Sequence, residues 1–163
     1  MRFAVLGSGS GGNSTIVECD GEYLLVDAGL SAKQLNLRLE RLHVAPEQLS
    51  GILLTHEHGD HVRGLDVFLR KCPVPILASI MTSRVVKEGL RESVEWILFE
   101  SGQKFSWKGF DFTTFPLPHD AVEPVGYVIA RGGASIGVAT IQENATEAQI
   151  DHAIITESSS GFS

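Results

Sequence analysis

The sequence is poor in cysteine, in positive charge and in long apolar runs, and each shortage removes a class of protein. Its 2 cysteines, Cys19 and Cys72, stand far apart with no CxxC or other metal-type spacing. That excludes a cysteine-held metal cluster and a disulfide framework, and leaves reduced thiols in a cytoplasmic protein. Lys and Arg number 13 against 20 Asp and Glu, for a net charge of -7 and a pI near 5.3. A broad basic coat for nucleic acid is thereby excluded, while a local metal or Lys/Arg cluster can still hold a phosphate. The opening "MRFAVLGSGSGG" has one positive charge and an apolar run too short for a signal-peptide core or a membrane span. The expectation is a soluble, intracellular protein with no membrane partner.

What is present fits one domain. The 163 residues are 43% hydrophobic and 20% charged, enough for a single core, and no repeat, low-complexity tract or linker interrupts them. "RFAVLG" reads as a strand that ends in the loop "GSGSGGN". "STIVE" and "YLLVDAG" flank the Asp-Gly pair of a hairpin. Over 31–42, leucines alternate with charges behind the N-cap candidate Ser31, which predicts a helix. "GILLTH", "PILAS" and "VEWILFE" read as strands, with "GLDVFLRK" and "MTSRVVKEGL" as helices between them. From Lys104 the pattern returns to strands, "KFSWKGFDFTTFPL" and then "VGYVIARGGASIGVAT", whose "RGG" marks a second hairpin. "ATEAQIDHA" is expected to be helical and "IITE" a last short strand.

The chemistry concentrates in "THEHGDH", residues 55–61, directly after the apolar run "GILL". Three of the 6 histidines fall there, at the point where a buried strand ends. Side chains two apart on an extended segment point the same way, so His56 and His58 project together, and a turn at Gly59 brings Asp60 and His61 alongside. Imidazole and carboxylate in adjacent sets suit one zinc ion, or two ions about 3.5 to 4 Å apart in a hydrolase. His119, after Pro118 and before Asp120, is either a further ligand or a polar loop residue. Asp27 either caps a turn or supports a neighbour. His43 and His152 read as solvated. The glycine cluster 7–12 lacks the Lys-Ser/Thr ending of a P-loop and reads as a wall of the site.

With these residues in view, the chain resembles the metallo-β-lactamase-fold hydrolases, whose H-x-H-x-D-H signature reads here as His56, His58, Asp60 and His61. Within them it most resembles the WalJ/YycJ-type group, through "GSGSGGNST", "LLVDAGLSAKQL", "GILLTHEHGDHVRGL" and "PHDAVEPVGYVI", in that order over roughly 1–140. The resemblance implies an α+β fold, the αββα sandwich, as a single domain over residues 1–163. It implies that His56, His58 and His119 hold one Zn2+ or Mn2+ ion, that Asp60 and His61 hold a second, that Asp60 also stands by the attacking water, and that Asp27 steadies the histidine loop. The implied activity is phosphodiester hydrolysis, as a DNA exonuclease, in a bacterial cytoplasm. Arg63, Arg70, Lys71 and Arg84 offer a local phosphate track. A thioester or lactone hydrolase and a non-catalytic metal-binding remnant are the alternatives, since fold does not decide substrate.

The sequence also departs from the family pattern. An aspartate that usually bridges both ions follows the strand "GVAT", where this chain has Ile141, and the further histidine and closing strands and helices expected downstream find no match before Ser163. On this basis the second ion is expected to be poorly held and hydrolysis weak. An uncovered apolar face around Val125, Tyr127, Ile129, Ile136 and Val138 is expected to drive self-association through the C-terminal half.

Overall fold

The computed structural model describes residues 1–118, 120–142 and 151–159. Strands β1 (Arg2–Gly7), β2 (Ser14–Cys19) and β3 (Glu22–Val26) form an antiparallel meander. The β2–β3 turn is Asp20-Gly21, with φ of 53° and 77°, the left-handed pair that a tight hairpin requires. The chain then alternates. Helix α1 (Ala32–Arg41) leads to β4 (Leu49–Leu53); α2 (Gly59–Val62) and α3 (Leu65–Lys71) lead to β5 (Ile76–Ser79); and α4 (Ile80–Glu88) leads to β6 (Trp96–Phe99). β3 through β6 pair in parallel, completing a sheet in the order β1-β2-β3-β4-β5-β6. Ser31 caps α1 by accepting from Gln34 N, as its position predicts.

The second sheet has the order β11-β10-β9-β8-β7, built from β7 (Lys104–Trp107), β8 (Phe110–Pro116), β9 (Val125–Arg131), β10 (Ala134–Gln142) and β11 (Asp151–Ser159), all antiparallel. Alternate residues of the first sheet serve two cores. Leu25, Ile52 and Ile76 face the helices with Leu35, Leu39, Leu65 and Phe68, whereas Leu24, Leu53 and Leu77 face the second sheet with Phe110, Phe112 and Ile129. The order of helix, sheet and sheet is that of the αββα sandwich. Among the described residues the helices lie on the first sheet.

Two expectations are corrected. Val125, Tyr127, Ile129, Ile136 and Val138 are not an uncovered face: all are buried, packed against the first sheet in the inter-sheet core. Self-association through such a face loses that basis. The helix expected through "ATEAQIDHA" fails at its end, because β11 begins at Asp151 and His152 stands opposite Ile141 across a ladder with β10. The β-branched run Ile154, Ile155 and Thr156 suits a strand, and the long free edge of β10 supplies its partner. Residues 143–150 lie outside the described ones. Cys19 and Cys72 are buried free thiols.

Candidate metal centre

Strands β1, β3 and β4 run in the same sense, so the loops that leave them meet at one end of the sheet. This is the end where open α/β sheets bind ligands, at the carboxyl ends of the strands. Asp27 follows β3, residues 55–61 follow β4, and the glycine loop 7–13 follows β1. Backbone bonds lock the three together: Asn13 N donates to Asp60 O at 2.7 Å, Ala28 N to His61 O at 2.8 Å and Gly29 N to Asn13 O at 2.9 Å.

Asp27 is the hub. It is 3% exposed and held at φ 60°, a backbone conformation a non-glycine residue rarely adopts. Its Oδ1 accepts Thr55 N at 2.8 Å, and its Oδ2 accepts Thr55 Oγ1 and faces His61 Nδ1, both at 2.7 Å. A carboxylate only accepts, so His61 Nδ1 carries its proton and donates, which leaves the lone pair on Nε2. The one hydroxyl proton of Thr55 goes to Asp27. The Thr55 oxygen therefore accepts from His56 Nδ1, 2.9 Å away, and His56 Nε2 also carries a lone pair. One buried carboxylate thus sets the tautomers of two imidazoles.

His56 and His61 are fully buried, with ring centroids 4.0 Å apart, and the His58 ring stands 4.8 Å from His56. Asp60 Oδ2 lies 3.5 Å from His61 Nε2. The structure therefore places His56, His58, Asp60 and His61 close to one another, with Asp27 behind them. His119 lies outside the described residues. Among those described, no group of three His, Cys, Asp or Glu side chains forms a cation site by itself. The donor chemistry nonetheless fits a divalent cation, because both tautomers carry the nitrogen lone pair that coordination needs, on the ring atom distal to the hub. Of the four cations suggested as a phosphate track, Arg63 contacts a site loop, donating to Gly11 O at 3.4 Å, whereas Arg70 pairs with Asp66 at 2.8 Å. Burial, and then the Asp27 charge, push the Tyr127 hydroxyl well above its usual pKa. Tyr127 is thus a neutral donor to Leu54 O at 2.5 Å, pinning the second sheet to the end of β4.

Sequence reasoning passed over Asn13. Its Nδ2 lies 3.1 Å from Asp60 Oδ2, 3.2 Å from His61 Nε2 and 3.0 Å from Gly9 O, while its Oδ1 accepts Gly9 N at 2.9 Å. The only sign in the sequence is an asparagine that closes a Gly/Ser loop just before an apolar strand. Asn13→Ala should lower stability by about 2–3 kcal/mol, the cost of stranding buried partners. An unchanged urea midpoint would refute that role.

Residues 22–153 match the family described as "Beta-lactamase superfamily domain". The chain belongs to the β-lactamase superfamily, and its two-sheet architecture is that of the metallo-β-lactamase fold. It is 35% identical over 144 residues to exodeoxyribonuclease WalJ of Streptococcus pneumoniae, covering 86% of this chain and 54% of that protein. It is 34% identical to exodeoxyribonuclease YycJ of Bacillus anthracis, with 86% and 54% covered. The chain thus spans about half the length of the relatives it matches. Zn2+-bound PqqB from Methylobacterium extorquens superposes with a TM-score of 0.68 at 19% identity, covering 83% of this chain and 63% of that one. No described helix is long and apolar enough to cross a membrane.

Proposed function

We propose that the chain is a metal-dependent phosphodiesterase that degrades DNA from its ends, in the cytoplasm. The observation that carries this is the hydrogen-bond relay from Asp27, which places the proton of the His56 and His61 rings on Nδ1 and so makes Nε2 the ligand atom of each neutral ring. The WalJ and YycJ relatives, named as exodeoxyribonucleases, support the choice of substrate.

In this reading His56, His58 and His119 hold one Zn2+ or Mn2+ ion, and Asp60 and His61 hold a second more weakly, because two protein ligands compete poorly with water. Bound cations of this kind polarise a phosphoryl oxygen and bring the pKa of water toward about 7. The chain's own contribution is positional. Asp60 offers a partly exposed carboxylate oxygen that orients the attacking water by accepting its hydrogen bond. Asn13 fixes that carboxylate from the side. Asp27 keeps both rings from turning their protonated nitrogens inward.

Elemental analysis paired with digestion of an end-labelled linear duplex tests the proposal. Bound metal and stepwise loss from the ends are expected, abolished by chelation and reduced at least about a thousandfold in His58→Ala, the scale for loss of a group central to catalysis. If His58→Ala keeps both metal and turnover, the site is wrongly placed. Hydrolysis of a thioester or lactone with no attack on DNA would move the chain to another substrate class.

A further inference from the structure

Glu57 stands between two candidate ligands and takes no part in the relay from Asp27. Its Oε1 accepts the backbone N–H of Val122 at 2.8 Å, across 65 residues of chain, and its Oε2 is buried with no hydrogen-bond partner among the described residues. A glutamate on a loop ordinarily turns both oxygens to water, because burying one unpaired is costly. Among the described residues, the Val122 bond is the contact that holds this one inward.

The other end of that bond is the connection between β8 and β9, of which residues 117, 118 and 120–124 are described. Its base is closed by Leu117 N donating to Pro124 O at 3.0 Å. Immediately after it, Val125 N donates to Thr55 O at 2.9 Å, and Tyr127 Oη bonds Leu54 O. Those two bonds fasten the root of β9 to the end of β4. The Glu57 bond is different, because it reaches the loop itself and uses a side chain of the histidine loop to do so. Val122 exposes 49% of its surface, so little apolar packing holds this part of the loop.

On the reading that the histidine loop is the working centre, we propose that Glu57 is a positioning residue: a strap that sets where residues 120–124 stand against residues 55–61. Without it the loop remains tethered at its base but loses its fixed distance from the centre. An ion bound there then meets a less ordered wall, and each binding event must order the loop first.

Hydrogen exchange of the Val122 amide and a zinc–chelator competition test the strap without any assay of activity. Glu57→Ala should speed Val122 exchange by roughly tenfold or more, the scale of a hydrogen bond to a charged acceptor, and weaken zinc retention by a similar factor. Glu57→Gln keeps an acceptor oxygen and should restore most of both. Tyr127→Phe, which removes the neighbouring bond to Leu54 O, should lower stability while leaving Val122 exchange near wild type. Unchanged Val122 exchange in Glu57→Ala overturns the proposal, as does faster exchange with unaltered zinc retention. A glutamine variant that behaves like alanine, or equal acceleration in Tyr127→Phe, also overturns it. Because the exchange measurement needs no substrate, it stands or falls separately from the exonuclease assignment.

Discussion

Replacing Gly29 by alanine should unfold the candidate metal centre more thoroughly than removing any one of His56, His58, Asp60 or His61. A Cβ at this position would lie 1.6 Å from Asp60 O, 2.3 Å from Asp60 C and 2.7 Å from Asn13 N. All three atoms are backbone, so no side chain can swing aside. The same three segments are already bonded to one another, Gly29 N to Asn13 O and Asn13 N to Asp60 O. The added methyl must therefore push the start of α2 away from the end of β3. Overpacking of a filled core typically costs about 1–3 kcal/mol, and a clash confined to backbone belongs at or above the top of that range. The expected result is a fall of about 3 kcal/mol or more in denaturant stability, together with loss of bound metal and of hydrolysis. An alanine variant that melts and binds zinc like the parent would show that the three segments do not meet as described.

Asp27→Ala should have the next largest effect, and comparison with Asp27→Asn separates its two roles. Alanine leaves Thr55 N, Thr55 Oγ1 and His61 Nδ1 without their acceptor in a buried place. Stranding a buried hydrogen-bond partner in this way costs about 1–3 kcal/mol. Loss of the group that orients a ligand histidine typically weakens metal binding about 10- to 100-fold. Asparagine can still accept from Thr55 N, so it should recover part of the stability. Its amide nitrogen, however, presents protons to Thr55 Oγ1 and His61 Nδ1. That drives the His61 proton to Nε2, the atom proposed to coordinate. Asp27→Asn should therefore be more stable than Asp27→Ala and no better at retaining zinc. Zinc affinity at the parent level in the asparagine variant would rule out the tautomer relay.

Local patterns announced much of this architecture, and long-range contacts explain what they did not announce. The Asp20-Gly21 hairpin, the Ser31 cap and the alternation of Leu24 with Leu25 and of Ile52 with Leu53 are written within a few residues of one another. The grouping of His56, His58, Asp60 and His61 is equally local, since a strand end and one turn produce it. Asn13 was not legible because its partners are 47 and 48 residues away and nothing near it in sequence is charged. Val125, Tyr127 and Ile129 read correctly as the apolar side of a strand, but their cover comes from Val17, Leu24 and Leu53 in the other sheet, which no local period reveals. At Asp151–Ala153 a helix-like composition yields to the free edge of β10, where pairing along a nine-residue strand outweighs intrinsic preference.

The backbone lattice that joins Asn13, Ala28, Gly29, Asp60 and His61 has a calorimetric consequence. Because the polypeptide alone closes the frame, a cation entering it has little apolar surface left to bury and little chain left to fold. Its binding should show a heat-capacity change close to zero, unlike the large negative value of coupled folding. Small zinc modules, by contrast, are unfolded without their ion. An ion bound here should behave as an ordinary ligand of a folded chain, so the melting temperature should climb only logarithmically with free metal once the site is filled.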